Sequence, residues 1–279
     1  MWTNENRPRY NRDHLRYPSD VTDEEWAHVE PLIPKAKRGG RKREVSVREV
    51  FNGIMYILST GCQWRYIPRD FPSKSTVYRY FCFWACCGVM DIVHHTLYVA
   101  CREMLERDAQ PTACIIDSQS VKSAEKGGSS IDPHGFDAGK KIKGKKRHLL
   151  VDMQGLLLHG IVTSASVQDR DGGIELFSGL CGKFPLLKKL FADSAYQGPL
   201  YQTALSTILP SVEIEIIKRS DKAKGFVVLP KRWIVERTIG WLNRCRRLAK
   251  DWENLTLNAL AFLKLASIRL MLRKLCNPS

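Results

Sequence analysis

Residues 149–165 read "LLVDMQGLLLHGIVTSA", and this stretch decides what kind of sheet the second half of the chain forms. Two apolar runs flank Asp152-Met-Gln-Gly155, whose residue types favour a tight turn. The pattern therefore predicts a β-hairpin. Because the two strands of a hairpin pair antiparallel, it argues against a purely parallel, doubly wound sheet and favours a mixed one.

The segments on either side of the hairpin alternate between short apolar strands and helices. Upstream, the apolar run Ala113–Ile116 predicts a buried strand that ends at Asp117. Downstream, the pattern predicts a helix near Gly172–Cys181, a strand ending at Asp193, a helix near Pro199–Leu209, a strand in "VEIEIIK" (212–218), a helix within residues 231–253 and an apolar helix over Leu257–Leu275. The last helix is expected to pack on the core or on a second subunit. This order predicts an α/β domain over residues 107–279.

The first part of the chain has a different texture, which predicts an all-α domain over residues 18–106. Residues 1–17 are polar and basic and are expected to form an arm. Thr22 followed three residues later by Glu25 predicts a capped helix over residues 22–32. A basic, Gly-containing linker follows at residues 34–44.

Two successive helices, over Ser46–Ser59 and from "SKSTVYRYFCFW" (73–84), are typical of a helix-turn-helix. Lys74, Thr76 and Arg79 would project from the first turns of the second helix, where such motifs meet the major groove of DNA. A plain helical bundle with a solvated basic edge is the alternative. The apolar stretch 80–100 is interrupted by charged and histidine residues, so it predicts a core helix rather than a membrane span.

The composition favours a polyanionic partner. The formal net charge is +15 and the sequence pI is about 9.5, so nucleic acid is the favoured partner and an anionic membrane surface the weaker one. The nine cysteines include no C-x-x-C pair, which favours reduced thiols. The Cys and His residues in "CCGVMDIVHH" (86–95) suggest a zinc site, but their spacing matches no usual zinc-ligand pattern and favours packing in the core. With no secretory leader apparent, a cytoplasmic protein is expected.

Two aspartates stand where predicted strands end. Asp117 and Asp193 each follow a buried apolar run, and ligands gather where the strands of an open α/β sheet end. Taken singly, each is more readily interpreted as a loop-start or capping residue. The pair therefore needs a third partner.

Glu236 is the third candidate. It lies in "KRWIVERTIGWLNRCRRLAKDWE" (231–253), where a helical projection puts Ile234, Trp241 and Trp252 on one apolar stripe and Glu236 opposite them. Simple salt pairing on a solvated helix is the alternative. Ile239 and Gly240 occupy the positions three and four residues after Glu236, and neither is a cation. This weakens the alternative, so we expect Glu236 to have no helical salt-bridge partner.

Three carboxylates among many cations fit metal-dependent phosphodiester chemistry. Two divalent ions can activate a water or hydroxyl and stabilise the leaving oxygen. Mg²⁺ prefers carboxylate oxygens and water, while Lys and Arg hold the flanking phosphates. Asp152, interpreted as a hairpin-turn residue, and Asp169 and Asp171, interpreted as loop residues before a helix, rank below the chosen three.

An ordered set of motifs resembles the DDE transposases of bacterial insertion sequences, in the group that includes the insertion-sequence-five and insertion-sequence-four families. These motifs cover about four-fifths of the chain. They are "RGGRKREVSVREVFNGIMYILSTGCQWRYIPRDFP" and "STVYRYFCFW" in the first part, and "IIDSQSVKS", "GFDAGKKIKGKKRHLLVD", "SASVQDRDG", "FADSAYQG" and "RWIVERTIGWLNRCRRLAKDWE" in the second. Any one of them alone is weak, whereas the ordered set is specific.

The resemblance implies an RNase H-like catalytic domain preceded by a helix-turn-helix-like domain, with Asp117, Asp193 and Glu236 as the catalytic and metal-binding triad. It implies two Mg²⁺ ions, with Mn²⁺ as a substitute, that support cleavage at the element's ends and attack of the freed 3′-hydroxyl on target DNA. The implied partners are double-stranded DNA, from the element's ends and the target, and a second copy in a homodimer, with no membrane. A cytoplasmic, nucleoid-associated location in a bacterium is also implied. A nuclease without strand transfer and a DNA-binding protein with an inactive catalytic domain are the rival functions, and the intact acids speak against the second.

The chain departs from the family pattern at accessory positions. Ser194 replaces the usual glycine after the second acid, Leu229 stands where the Y-x-x-R-x-x-x-E-x-x-x-x-x-x-K signature has tyrosine, and Asn243 stands in place of its lysine, whereas Arg232 is present. A phosphate-tracking loop is predicted at residues 135–148, although a solvated basic loop is the alternative. Trp233 and Trp241 could stack on a flipped base, but core packing is favoured, most clearly for Trp241. Outside the helix-turn-helix, the predicted DNA-binding residues are Lys122, Lys140, Lys141, Lys143, Lys145, Lys146, Arg147, Arg232, Arg237, Arg244, Arg247 and Lys250.

Overall fold

The computed structural model describes residue 4 and residues 7–36, 39, 42–124, 131–180, 182–217 and 231–277 of the 279-residue chain. The remaining residues of the predicted arm (1–17) and linker (34–44), and Leu229, lie outside the described residues. The described helices are α1 (Arg7–Tyr10), α2 (Asp23–Val29), α3 (Val47–Thr60), α4 (Lys74–Cys86), α5 (Val89–Met104), α6 (Asp169–Ser178), α7 (Pro199–Ile208), α8 (Arg232–Leu242) and α9 (Thr256–Cys276). The described strands are β1 (Ala113–Lys122), β2 (Gly135–Asp137), β3 (Ile142–Asp152), β4 (Leu157–Ser164), β5 (Lys189–Ala192) and β6 (Glu213–Ile216).

The six strands form one mixed sheet, as the hairpin predicted. β3 pairs antiparallel with β1 on one side, and on its other side it pairs antiparallel with β2 at its start and with β4 along the rest of its length. β5 joins β1 in parallel, and β6 joins β5 in parallel. The sheet therefore has an antiparallel half and a parallel half that meet at β1.

Side-chain alternation along β3 assigns the helices to the two faces of the sheet. His148 faces α6, where a Cβ on Gly172 would lie 2.0 Å from its ring, so only glycine allows this approach. The next residue, Leu149, faces α9, because it and Leu263 both border Gly160 on β4. Asp117 pairs with Leu149 across the β1–β3 ladder and therefore lies on the same face as α9.

The helices before β1 share their core with the C-terminal helix. Phe81 of α4 stacks on Phe262 of α9 with ring centroids 4.6 Å apart, and His94 of α5 hydrogen-bonds Ser267 of α9 at 3.0 Å. Buried apolar residues run without a break from these helices into the sheet. The last helix therefore packs on the core, which was one of its two expected arrangements. The predicted boundaries at 17/18 and 106/107 stay predictions.

A buried ion pair ties α5 to the hairpin turn. Arg102 Nη1 lies 2.5 Å from Asp152 Oδ2, and both side chains are nearly inaccessible. The other carboxylate oxygen of Asp152 accepts the backbone N–H groups of Gln154 and Leu156, both at 2.9 Å. Asp152 is thus a turn residue with a structural partner, consistent with its low rank as a catalytic acid.

The capping signals and the short elements were predicted well. Thr22 and Glu25 form the predicted capping box at α2, which continues as a 3-10 helix over Glu30–Leu32. α3 begins after Ser46, whose side chain accepts from the Glu49 backbone N–H. α6, α7, β5 and β6 lie within a few residues of their predicted positions.

Three secondary-structure predictions were wrong. The stretch 80–100 is divided between α4 and α5, because Gly88 takes a left-handed conformation (φ 71°) that ends one helix before the next begins. The basic segment 135–148 is mostly strand, since pairing with β1 and β4 satisfies its backbone. The helix expected within residues 231–253 ends at Leu242, and a separate 3-10 helix covers Arg246–Leu248.

Among the described residues no single helix is long and apolar enough to cross a membrane, and only the α4–α5 pair, bent by 69°, passes a test of length and composition when taken together. Both helices contribute buried residues to the core. The eight described cysteines have free thiols. In the stretch 86–95, His94 is buried against Ser267.

Candidate active site

The register of the parallel strands brings the first two acids together. β1 and β5 pair from Ala113–Lys189 to Ile115–Phe191, and two more residues in the same register bring Asp117 level with Asp193. Asp193 follows the last residue of β5, as predicted, and its Oδ1 accepts the Ala195 N–H at 2.8 Å. Asp117 does not end its strand: β1 continues to Lys122 because β3 pairs with it throughout.

Helix α8 carries the third acid over the same face of the sheet. The Thr238 hydroxyl donates to the Gly155 carbonyl at 2.8 Å, which docks α8 on the hairpin turn. Gly155 has φ 80°, and a Cβ there would lie 2.8 Å from that hydroxyl, so the turn needs glycine at this position. This docking fixes Glu236, which is exposed, at the edge of the site.

Arg232 links Glu236 to Asp193. Its Nη2 lies 3.5 Å from Asp193 Oδ2 and 3.5 Å from Glu236 Oε1. The expectation that Glu236 has no helical partner was therefore wrong, because the cation stands four residues before the acid and only later positions had been considered. The Nε of Arg232 is buried without a hydrogen-bond partner. One guanidinium thus holds two of the three acids together.

The electrostatics of Asp117 differ from those of its partners. Burial raises the pKa of Asp117 to about 6, and the negative charge of Asp193 adds to this effect. The Ser118 backbone N–H, which donates to Asp117 Oδ1 at 2.7 Å, and the charge of Arg232 act in the opposite direction. Near neutral pH this carboxyl therefore holds its proton more readily than an ordinary aspartate.

A fourth acid lies near the triad on the other face of β1. Asp169 is in the first turn of α6, not in a loop as expected, and Lys146 Nζ lies 2.8 Å from its Oδ1. The buried Tyr196 hydroxyl has no hydrogen-bond partner, and its pKa is raised well above the ordinary value by burial and then by Asp117 and Asp169. Sequence reasoning missed Tyr196, and its position three residues after Asp193 was the available signal.

The triad provides the right kind of ligand atoms for Mg²⁺. Carboxylate oxygens are the ligands that hard divalent cations prefer. Strand β1, the end of β5 and helix α8 bring one carboxylate each to the same side of the sheet. Within the described ranges no group of three Asp, Glu, His or Cys residues is arranged as a metal-binding cluster. Arg232 lies between two of the acids instead, so it balances the charge that a cation would neutralise.

Comparison with known families agrees with this geometry. Residues 108–271, which include all three acids, match the family described as "Transposase DDE domain". The chain belongs to the DDE transposases. Residues 21–94 of the transposase also match the family described as "Putative transposase of IS4/5 family".

Two curated proteins of Burkholderia cepacia are similar to parts of the transposase. The "Insertion element IS402 uncharacterized 16.2 kDa protein" is 32% identical over 113 residues, which are 38% of this chain and 76% of that protein. The "Putative transposase for insertion sequence element IS402" is 34% identical over 130 residues, which are 44% of this chain and 60% of that protein. No solved structure matches the chain.

Four of the predicted DNA-binding lysines of the transposase line one cleft. Lys122, Lys141, Lys143 and Lys250 surround a space of about 490 Å³ that His134 and Phe136 also border. Lys140 lies nearby in the turn before β3, where its Nζ donates to the Ser118 carbonyl and hydroxyl at 3.1 Å. We call the first four residues the lysine cleft.

Other predicted DNA contacts are committed to partners inside the protein. Lys145, Lys146 and Arg147 are nearly inaccessible because they alternate between the two covered faces of β3. Their partners include Asp251 for Lys145, Asp137 and Asp169 for Lys146, and Gln119 and Asn243 for Arg147. Arg247 is buried 2.6 Å from Glu253. Burial lowers the pKa of Arg147 to about 10.

Three side chains on α8 form an exposed stack. The Arg237 guanidinium lies 4.4 Å from the ring centroid of Trp233 and 4.6 Å from that of Trp241. Trp233 is 40% exposed and Trp241 38% exposed, so the expectation that these two residues pack in the core was wrong. Because the helix ends at Leu242, the apolar stripe projected through residue 252 does not exist. We call these three residues the Trp–Arg–Trp stack.

The α3–α4 pair differs from a compact helix-turn-helix. The connection runs from Gly61 to Ser73 and contains its own 3-10 helix, whereas the usual turn has three or four residues. On α4, Lys74 and Arg79 are exposed and Thr76 is partly exposed. Their contact with the major groove stays a prediction.

Proposed function

We propose that this transposase binds the terminal inverted repeats of an insertion sequence and catalyses Mg²⁺-dependent strand cleavage followed by strand transfer into target DNA. The observation that carries the proposal is the pairing of Asp193 and Glu236 through Arg232, beside an Asp117 whose carboxyl is level with Asp193. A phosphodiester is the substrate class that needs both clustered acids and flanking cations.

Asp117, Asp193 and Glu236 would hold the divalent ions. When bound, such ions supply Lewis-acid activation of the attacking water or 3′-hydroxyl and stabilise charge on the leaving oxygen. Arg232 would turn from the carboxylates to a phosphate oxygen, since it is charged and only partly buried. Asp117 must lose its proton to act as a ligand, and because burial raises its pKa to about 6, metal binding there competes with protonation.

The lysine cleft supports binding of a long polyanion rather than a small phosphate ester. Its four ammonium groups lie on β1, at the start of β3 and after α8, so they could contact successive phosphates. A homodimer is part of the proposal, because joining two element ends in concert requires two active sites.

Cleavage of a labelled duplex that carries the element's end tests the catalytic part. Asp193→Asn is expected to reduce Mg²⁺-dependent nicking by more than about a hundredfold, because loss of a ligand exceeds the usual 10–100-fold effect of its supporting residues. Asp171→Asn is the matched control, since Asp171 is exposed in the first turn of α6. Unchanged metal-dependent nicking by Asp193→Asn would contradict the triad assignment.

Strand transfer separates a transposase from a nuclease that acts on the same fold. The pre-cleaved element end, with a free 3′-hydroxyl, is incubated with supercoiled plasmid, Mg²⁺ and protein. Covalent joining of the label to the plasmid is the expected result. Efficient cleavage with no joined product would support the nuclease alternative instead.

A further inference from the structure

A second basic surface lies between the N-terminal segment and the end of α9. Two adjoining spaces of about 940 and 510 Å³ meet there, and Arg12, Arg269 and Arg273 border both. The larger space is also lined by Trp241 and Arg244, and the smaller one by Arg246. We call this surface the arginine cleft.

Positive charge in the arginine cleft exceeds what the protein neutralises. Arg12 is held by Glu25, with two contacts of 2.7 Å. In the part of the chain that the structure describes, no carboxylate forms an ion pair with the other four arginines, which are Arg244, Arg246, Arg269 and Arg273. The carboxylates on the lining are Asp13 and Glu24, and both are exposed.

The two arginines on α9 hydrogen-bond neutral groups, and one of their buried N–H groups has no partner. Arg269 Nε is buried without a partner, and Arg269 Nη1 reaches only Cys245 Sγ at 3.8 Å. Arg273 Nη2 donates to the Pro18 carbonyl at 3.4 Å. Burial lowers the pKa of Arg273 to about 10, and repulsion from Arg269 and Arg12 contributes to the shift. An anion in the cleft would relieve this repulsion.

The arginine cleft begins close to the catalytic acids. Trp241, which borders the cleft, stands five residues after Glu236 on α8, which is about 7.5 Å along the helix axis and about 140° around it. A DNA strand carries one phosphate for about every 3.4 Å of duplex axis. A duplex whose scissile phosphate lies at the acids would therefore reach around α8 to the mouth of the cleft with phosphates several nucleotides away.

We propose that the arginine cleft binds backbone phosphates of the same DNA duplex that carries the scissile phosphate. Guanidinium groups suit this task because they remain charged and donate to two phosphate oxygens at once. The inference rests on the proposed function, and it extends that function to Arg246, Arg269 and Arg273, none of which was among the predicted DNA contacts. It also assigns Arg244, a predicted DNA contact, to this cleft.

Salt-dependent binding of an element-end duplex tests the inference. Fluorescence anisotropy with the full chain in EDTA measures affinity without cleavage. The double variant Arg244→Gln/Arg269→Gln is expected to lower the slope of log affinity against log salt by about two, and to weaken binding about tenfold or more at 0.1 M salt. Lys188→Gln, which removes an exposed charge before β5 at the end opposite the acids, is expected to leave the slope unchanged.

Two further measurements keep the outcomes distinct. Arg244→Lys/Arg269→Lys should recover most of the salt slope, which a purely structural role of the arginines would not predict. Binding of poly-glutamate, a polyanion without phosphate, is measured in parallel. A well-folded double Gln variant that keeps the wild-type salt slope would overturn the cleft assignment. Loss of poly-glutamate binding with duplex binding intact would also overturn it, because that result assigns the cleft to an acidic protein partner. If Asp193→Asn still abolished cleavage in that case, the proposed function would stand without the cleft.

Discussion

Arg232 lies between Asp193 and Glu236, with one guanidinium nitrogen 3.5 Å from a carboxylate oxygen of each. A divalent cation that used both carboxylates would compete with this guanidinium for the same oxygens. Loading of the site and release of Arg232 are therefore expected to be coupled, and the released side chain is free to contact a phosphate.

Removing Arg232 should strengthen metal binding by the protein alone. Arg232→Gln is expected to raise Mn²⁺ affinity about fivefold to tenfold, because two partly exposed ion pairs contribute together on the order of 1 kcal/mol. Cleavage at saturating metal should nevertheless fall, since the phosphate contact is lost. Isothermal titration calorimetry measures the affinity, with Arg170→Gln as the control. Equal or weaker Mn²⁺ binding by Arg232→Gln would show that the arginine does not compete.

In the metal-free protein, the raised pKa of Asp117 predicts a cost to stability that depends on pH. Between about pH 4 and pH 6 the folded protein keeps a proton that the unfolded chain has released, so this group's contribution to stability falls as the pH rises through that window. In EDTA, Asp117→Asn should raise the melting temperature at pH 7.5 by about 2–4 °C, which corresponds to about 1 kcal/mol.

Below pH 4 the same variant should melt with the wild type, because the carboxyl is then protonated in both states. Adding Mg²⁺ at pH 7.5 should reverse the order, since a ligand that binds only the native wild type stabilises it. Differential scanning calorimetry across this range gives both results. A gain for Asp117→Asn that is the same at pH 4 and pH 7.5 would exclude titration of this carboxyl as its cause.

The three candidate acids were visible in the sequence because each one follows a local pattern. Apolar runs before Asp117 and Asp193 marked two strands, and a helical projection singled out Glu236 on the polar face of its helix. The partner of Glu236 was also visible, since Arg232 stands four residues before it on one helical face. It was missed because only positions after the acid had been considered.

Long-range pairing explains what the sequence could not show. The Gly- and Lys-rich composition of residues 135–148 is typical of a loop, yet β1 and β4 pair with this segment and bury it. Its lysines are tolerated there because carboxylates distant in sequence reach them, such as Asp251 for Lys145. Similarly, the exposure of Trp241 depends on where α8 ends, which helical periodicity alone does not fix.

The buried pair Arg102–Asp152 predicts a large and specific loss of stability. Asp152→Ala leaves the Arg102 guanidinium buried without its carboxylate, so the free energy of unfolding should fall by about 3–5 kcal/mol. Urea denaturation measures this change. Arg102→Met/Asp152→Asn should recover much of it, because no buried charge then lacks a partner and the amide oxygen can still accept the Gln154 and Leu156 N–H groups. A loss below about 1 kcal/mol for Asp152→Ala would contradict the pair's role in joining α5 to the hairpin turn.

The Trp–Arg–Trp stack predicts a preference for unpaired bases. Because Trp241 is exposed, Trp241→Ala should change the melting temperature by less than about 2 °C, while it weakens binding to an element end with frayed terminal bases by about tenfold, as loss of one base-stacking contact would. Binding to a fully paired duplex should change much less, and Trp241→Phe should retain most of the affinity. Tyr66→Ala, at a residue that is 68% exposed on the 3-10 helix before α4, controls for loss of any surface aromatic. Equal weakening on frayed and paired ends would mean that Trp241 contacts the backbone rather than a base.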